Sequence, residues 1–119
     1  MATLSLFVRD NAGYNTFGLP PSDLIRNANL TANAAFRVDL PVAPTPDIKY
    51  WLCVISYTLG NNIYVAYNTV ATLPPGTGSF GATNSELNPT PRYLKPGDFF
   101  SVITANTGAS ISVSLYGSA

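Results

Sequence analysis

Any chemistry in this chain has to come from one thiol and six carboxylates. Cys53 stands with Asp10, Asp23, Asp39, Asp47, Glu86 and Asp98, and no histidine accompanies them in 119 residues. General acid–base work and nucleophile activation draw first on histidine, on paired carboxylates or on an activated thiolate. The carboxylates lack the alternating-aspartate spacing of a calcium loop, and nothing singles out two of them as a glycosidase-type couple. Cys53 sits in Tyr50-Trp51-Leu52-Cys53-Val54-Ile55, a run that suits a small buried hydrophobe, and with no histidine to serve as its base it reads as an inert core thiol. A lone cysteine also excludes an intrachain disulfide and a cysteine-rich zinc site. The expectation is a protein with no enzymatic activity, no cofactor and no metal.

Four further motifs invite a function. Gly76-Thr77-Gly78-Ser79-Phe80-Gly81 has the glycine spacing of a dinucleotide loop, but that mechanism needs a strand before it and a helix after it. Prolines precede it and Asn88-Pro89 follows soon after, so a surface loop is the better reading. Asn29-Leu30-Thr31 is a glycosylation sequon by pattern and accidental without a secretory signal. Pro41-Val42-Ala43-Pro44-Thr45-Pro46 reads as a stiff link between strands rather than a polyproline ligand. Aromatic faces stack on sugars, and Tyr14, Tyr64, Tyr67 and Tyr93 are the candidates for that role. Trp51 lies in the most apolar run and belongs to the core.

The elements that position these residues are strands. Residues 35–42 alternate Phe36, Val38, Leu40 and Val42 with Arg37 and Asp39, and residues 110–116 alternate Ile111, Val113 and Leu115 with serine. This is the period-two pattern of half-buried strands. Residues 3–9 read the same way, 98–104 is another strand, and 49–58 is apolar enough for a central strand covered on both faces. Residues 62–72 follow through Leu59-Gly60-Asn61-Asn62, which reads as a hairpin turn. Lys95-Pro96-Gly97-Asp98 and Asn106-Thr107-Gly108 mark further turns. Helix evidence is confined to 22–29, where Ser22 follows two prolines and suits an N-cap. Six or more strands with proline and glycine punctuation predict a single all-β domain over 1–119, an antiparallel β-sandwich with little or no helix.

Two connections are long, 10–34 and 73–94, and either has room for an extra short strand. They carry apolar side chains that loops seldom leave unpartnered: Phe17, Leu19, Phe80 and Leu87. These four are the candidate partner-binding residues.

Composition narrows the partner. Six basic residues balance six acidic ones for a formal net charge of zero, and the basic residues are scattered, so nucleic-acid binding by counterion release is disfavoured. Near-neutrality promotes association, which suits a chain that works assembled. No stretch approaches the ~20 apolar residues of a membrane span. The run from Leu4 to Val8 is short for a signal peptide and is stopped by Arg9-Asp10, so synthesis in the cytoplasm is expected.

Ile63-Tyr-Val-Ala-Tyr-Asn-Thr-Val, the Pro-Pro-Gly-Thr-Gly loop, Leu87-Asn-Pro-Thr-Pro-Arg and Leu94-Lys-Pro-Gly-Asp-Phe-Phe-Ser-Val-Ile-Thr resemble small β-sandwich structural proteins of tailed bacteriophages. The nearest in character are capsid decoration (cement) proteins, many of them jelly-roll-like. The resemblance implies a jelly-roll-like virion protein that forms a homo-oligomer and binds the major capsid protein or another virion protein. The competing expectation is a carbohydrate- or receptor-binding module of a fibre, spike or pilus.

Overall fold

The computed structural model describes residues 3–4, 21–74 and 78–119. They form nine strands: β1 (Thr3–Leu4), β2 (Leu24–Asn29), β3 (Phe36–Asp39), β4 (Tyr50–Tyr57), β5 (Tyr64–Tyr67), β6 (Glu86–Leu87), β7 (Arg92–Leu94), β8 (Phe99–Ile103) and β9 (Ser110–Ser118). The larger sheet runs β2-β9-β4-β7, with β1 beside the end of β9 in parallel. The smaller runs β3-β8-β5-β6. Apart from β1, all pairings are antiparallel.

The pairings are nested. β2 lies against β9, β3 against β8, β4 against β7 and β5 against β6. This is one long hairpin folded at the β5–β6 connection. Rolled up, it gains the further contacts β4–β9 and β5–β8. That connectivity is the jelly roll. From β2 onward the chain changes sheet at each step except β5 to β6. The turn at Gly60 therefore is not a hairpin. Gly60 takes φ 84°, a left-handed conformation that glycine adopts freely, but it carries the chain across the sandwich. Gly97, at φ 87°, closes the Lys95–Asp98 turn through an Asp98 N–H to Lys95 O bond of 3.1 Å, and this turn also crosses between sheets.

Besides that hairpin, three segments differ from the sequence reading in detail. The segment 22–29, where the helix evidence is confined, holds strand β2, paired along its whole length with β9. Ser22 Oγ does accept from the Leu24 amide at 3.1 Å, as a capping serine would, and it donates to the Leu115 carbonyl of β9. The same side-chain chemistry starts a strand. The connection 73–94 contains β6 and β7, so Leu87 is a strand residue rather than a loop residue. The strand expected at 62–72 stops at Tyr67, where Asn68 takes a positive φ of 58° and turns the chain back over the sheet. Asn68 is among the residue types that tolerate this region. The expected strand at 3–9 is described only at Thr3–Leu4; its remainder lies outside the described residues.

The core lies between the sheets. Trp51, Cys53, Ile111, Val113 and Leu115 of the larger sheet meet Val38, Val65, Phe100 and Val102 of the smaller. Trp51 is fully buried, and its indole N–H donates to the Pro41 carbonyl at 2.9 Å, so its one polar atom is satisfied. The two edges are tied differently. At one, Arg92 of β7 meets Glu86 of β6 at 2.8 Å. At the other, Arg26 of β2 lies over the Phe36 ring of β3, 5.2 Å from its centroid.

Candidate functional site

Alternation along the strands sends every second side chain outward, and the two outer faces differ. On the smaller sheet residues 68–74 fold back over the face and 78–85 return beside them. Ser101 Oγ donates to the Thr69 carbonyl at 3.0 Å and accepts from the Ala71 amide. Ala71 packs with Ala66 and Ile103, with Tyr64 alongside. The two limbs of the segment are tied together where the Thr72 amide donates to Ser85 Oγ at 3.0 Å and Asn84 Nδ2 donates to the Val70 carbonyl at 3.4 Å.

That segment carries a group of exposed apolar side chains. Phe80 is at full exposure and Leu87 at 53%, with Val70 and Leu73 also exposed. Phe80 sits in a turn closed by an Ala82 amide to Ser79 carbonyl bond of 3.3 Å. Leu87 lies opposite Tyr64 in the sheet. Phe80 thus stands out from the returning lobe and Leu87 from the edge strand β6, both exposed. Phe17 and Leu19 lie outside the described residues.

The larger sheet keeps its outer face open at one end. Asn27 and Asn29 of β2, Ser110 and Ser112 of β9, and Ser56 and Thr58 at the end of β4 line a shallow groove of about 500 Å³. At the other end Tyr50 and Tyr93 meet edge to face, ring centroids 6.5 Å apart, and line a hollow of about 250 Å³ with Ser118 and Ala119. Of the tyrosines singled out by type, Tyr93 is exposed, whereas Tyr64 and Tyr67 are half-buried. Tyr67 packs against Phe100, and Tyr14 lies outside the described residues. The polar groove was missed in the sequence because its members are far apart along the chain.

Several of the ionisable groups are engaged in structural contacts. Burial pushes the Cys53 thiol up to about 12, which leaves it protonated at neutral pH, and its Sγ faces the Trp51 carbonyl at 3.8 Å. Tyr67 is pushed up to about 12, first by burial and then by the Glu86 charge. Arg37 pairs with Asp39 at 2.9 Å and covers the Phe99 ring at 3.7 Å. Among the described residues no three His, Cys, Asp or Glu side chains gather where they could hold a metal ion. The sequon residue Asn29 lies on a strand, and its carboxamide oxygen accepts from Ser110 Oγ at 2.7 Å. The described part of the glycine motif, 78–81, leads into the turn at Ala82 and then β6, with no helix following.

No protein-family model, curated protein or solved structure matches this chain.

Proposed function

We propose that this chain is a non-enzymatic virion structural protein that oligomerises and binds the capsid shell as a decoration protein. The observation that carries the reading is the set of exposed apolar side chains Val70, Leu73, Phe80 and Leu87, with Phe80 fully exposed. Large aromatic and aliphatic side chains held out on a tied-down segment are the usual anchors of a protein interface. The chain has only 12 Lys, Arg, Asp and Glu residues, and several of the described ones already pair with each other or cover rings. Affinity would therefore rest on apolar and neutral polar burial, for which a standard interface of about 1,600 Å² suffices. Several such contacts per oligomer add avidity. Jelly rolls build both viral shell proteins and lectins, so the fold is compatible with this role without selecting it.

The test is light scattering on the full chain, followed by co-sedimentation with shells assembled from the major capsid protein encoded beside its gene. The expected result is a mass above 12.6 kDa and binding to shells. The double variant Phe80→Ala/Leu87→Ala should bind shells at least about tenfold more weakly, a difference of ~1.4 kcal/mol, with thermal unfolding nearly unchanged. A monomer at all concentrations that ignores those shells overturns the reading.

A further inference from the structure

The groove on the larger sheet is built from three strands that the roll alone brings together. Asn27 of β2, Ser112 of β9 and Ser56 of β4 stand in register as one row across the sheet. Asn29 and Ser110 begin the next row, and Thr58 completes it, its Oγ1 accepting from the Ser110 amide at 3.0 Å. The alternate residues Ala28, Ile111 and Tyr57 pack into the core, so the floor of the groove is backbone held rigidly from below. Its side-chain groups recur at spacings set by the sheet, about 4.8 Å between strands and about 6.8 Å between same-face residues.

All six of these polar side chains are uncharged, and together they offer both donors and acceptors. Among the described residues, Asn27, Ser56 and Ser112 make no side-chain hydrogen bond within the protein, and Asn29 uses only its carboxamide oxygen. An anionic or cationic ligand would meet no counter-charge on these walls. An apolar ligand would strip water from hydroxyls and amides without replacing it. Ala28, Tyr57 and Ile111 also line the groove but pack toward the core, so a protein partner would find weaker apolar anchors there than Phe80 and Leu87 offer. The ligand that fits is neutral and dense in hydroxyls that both donate and accept. The groove's volume of about 500 Å³ falls in the size range of small-molecule sites, roughly 300–1,000 Å³.

We propose that this groove binds a neutral oligosaccharide, with Asn27, Ser56 and Ser112 supplying the free hydrogen-bonding groups. The proposal does not rest on the shell-binding reading, and it uses a different sheet from the Phe80 lobe.

Affinity electrophoresis of the full chain tests it, in gels containing dextran, mannan, galactomannan or laminarin, with anionic alginate as a control. Retardation by at least one neutral polymer and none by alginate is expected. The triple variant Asn27→Ala/Ser56→Ala/Ser112→Ala should weaken retardation about tenfold or more, with thermal unfolding unchanged. Should the triple variant lose its fold, Asn27→Ala alone on the edge strand β2 carries the test. The variant Tyr50→Ala/Tyr93→Ala should bind as the parent does. Four outcomes overturn the proposal: no retardation by any neutral polymer, retardation by alginate alone, or binding indifferent to the groove variants yet lost with the tyrosines. The fourth is a fall in oligomer mass in the groove variants without sugar binding, which would make the groove a contact between copies.

Discussion

Ser101 and Ser112 both point outward from central strands, one from each sheet, and the chain uses them in opposite ways. Ser101 is buried under residues 68–74 and bonds to Thr69 and the Ala71 amide. Ser112 lies half-open on the larger sheet and makes no side-chain bond among the described residues. The same hydroxyl is a fixing post on one face and an unused group on the other. The difference comes from the β5–β6 connection, long enough to fold across the smaller sheet and present Phe80 from its far side. At one end of the larger sheet the described residues keep a grid of hydroxyls and amides in which Asn27, Ser56 and Ser112 make no side-chain bond. One face is thus suited to apolar contact and the other to polar contact.

Phe100 tests what the two faces share. It lies on β8 next to Ser101 but points inward and is fully buried. Phe100→Ala should destabilise the whole sandwich by about 3–5 kcal/mol, read as a lowered urea midpoint with a single transition. Separate transitions for the two sheets would break the picture of one core.

The serine pair gives the next largest effect. Ser101→Ala leaves a buried Ala71 amide without its acceptor and should cost about 1–3 kcal/mol. Ser112→Ala should stay within about 0.5 kcal/mol of the parent. Equal losses in paired denaturation curves would remove the distinction between the faces.

A separate effect appears only in alkali. Cys53 and Tyr67 ionise in the native state near 12, against ordinary values of 9.0 and 10.0. Between those limits the unfolded chain releases protons that the native chain keeps. Stability is therefore full below about pH 9 and falls as pH rises toward about 12. Cys53→Ala and Tyr67→Phe should each flatten that decline in midpoint against pH. A decline unchanged in both variants would mean that neither group is shielded from water by the sandwich.

The amino-acid sequence by itself determined the all-β class and most of the inward-facing residues. In 35–42 and 110–116 the alternation names Val38, Leu40, Ile111, Val113 and Leu115, all of which are buried, because a pleated strand leaves no other face for them. Phe36 is half-buried, and Val42, past the end of β3, is exposed because the strand pleat no longer directs it inward. It also named Trp51 and Cys53 as core and Phe80 as an unpartnered apolar residue. The segment 22–29 carried the helix evidence because Ser22 follows two prolines, and a serine that caps a helix equally starts a strand. Only pairing with β9 decides between them.

Tertiary structure alone decided which strands neighbour each other. Positive-φ turns such as those at Gly60 and Gly97 are local, and they open a hairpin or cross a sandwich with the same dihedrals. The groove follows from that decision. Asn27, Ser56 and Ser112 are isolated polar residues along the chain, and they become one row only when antiparallel register sets β2, β9 and β4 side by side.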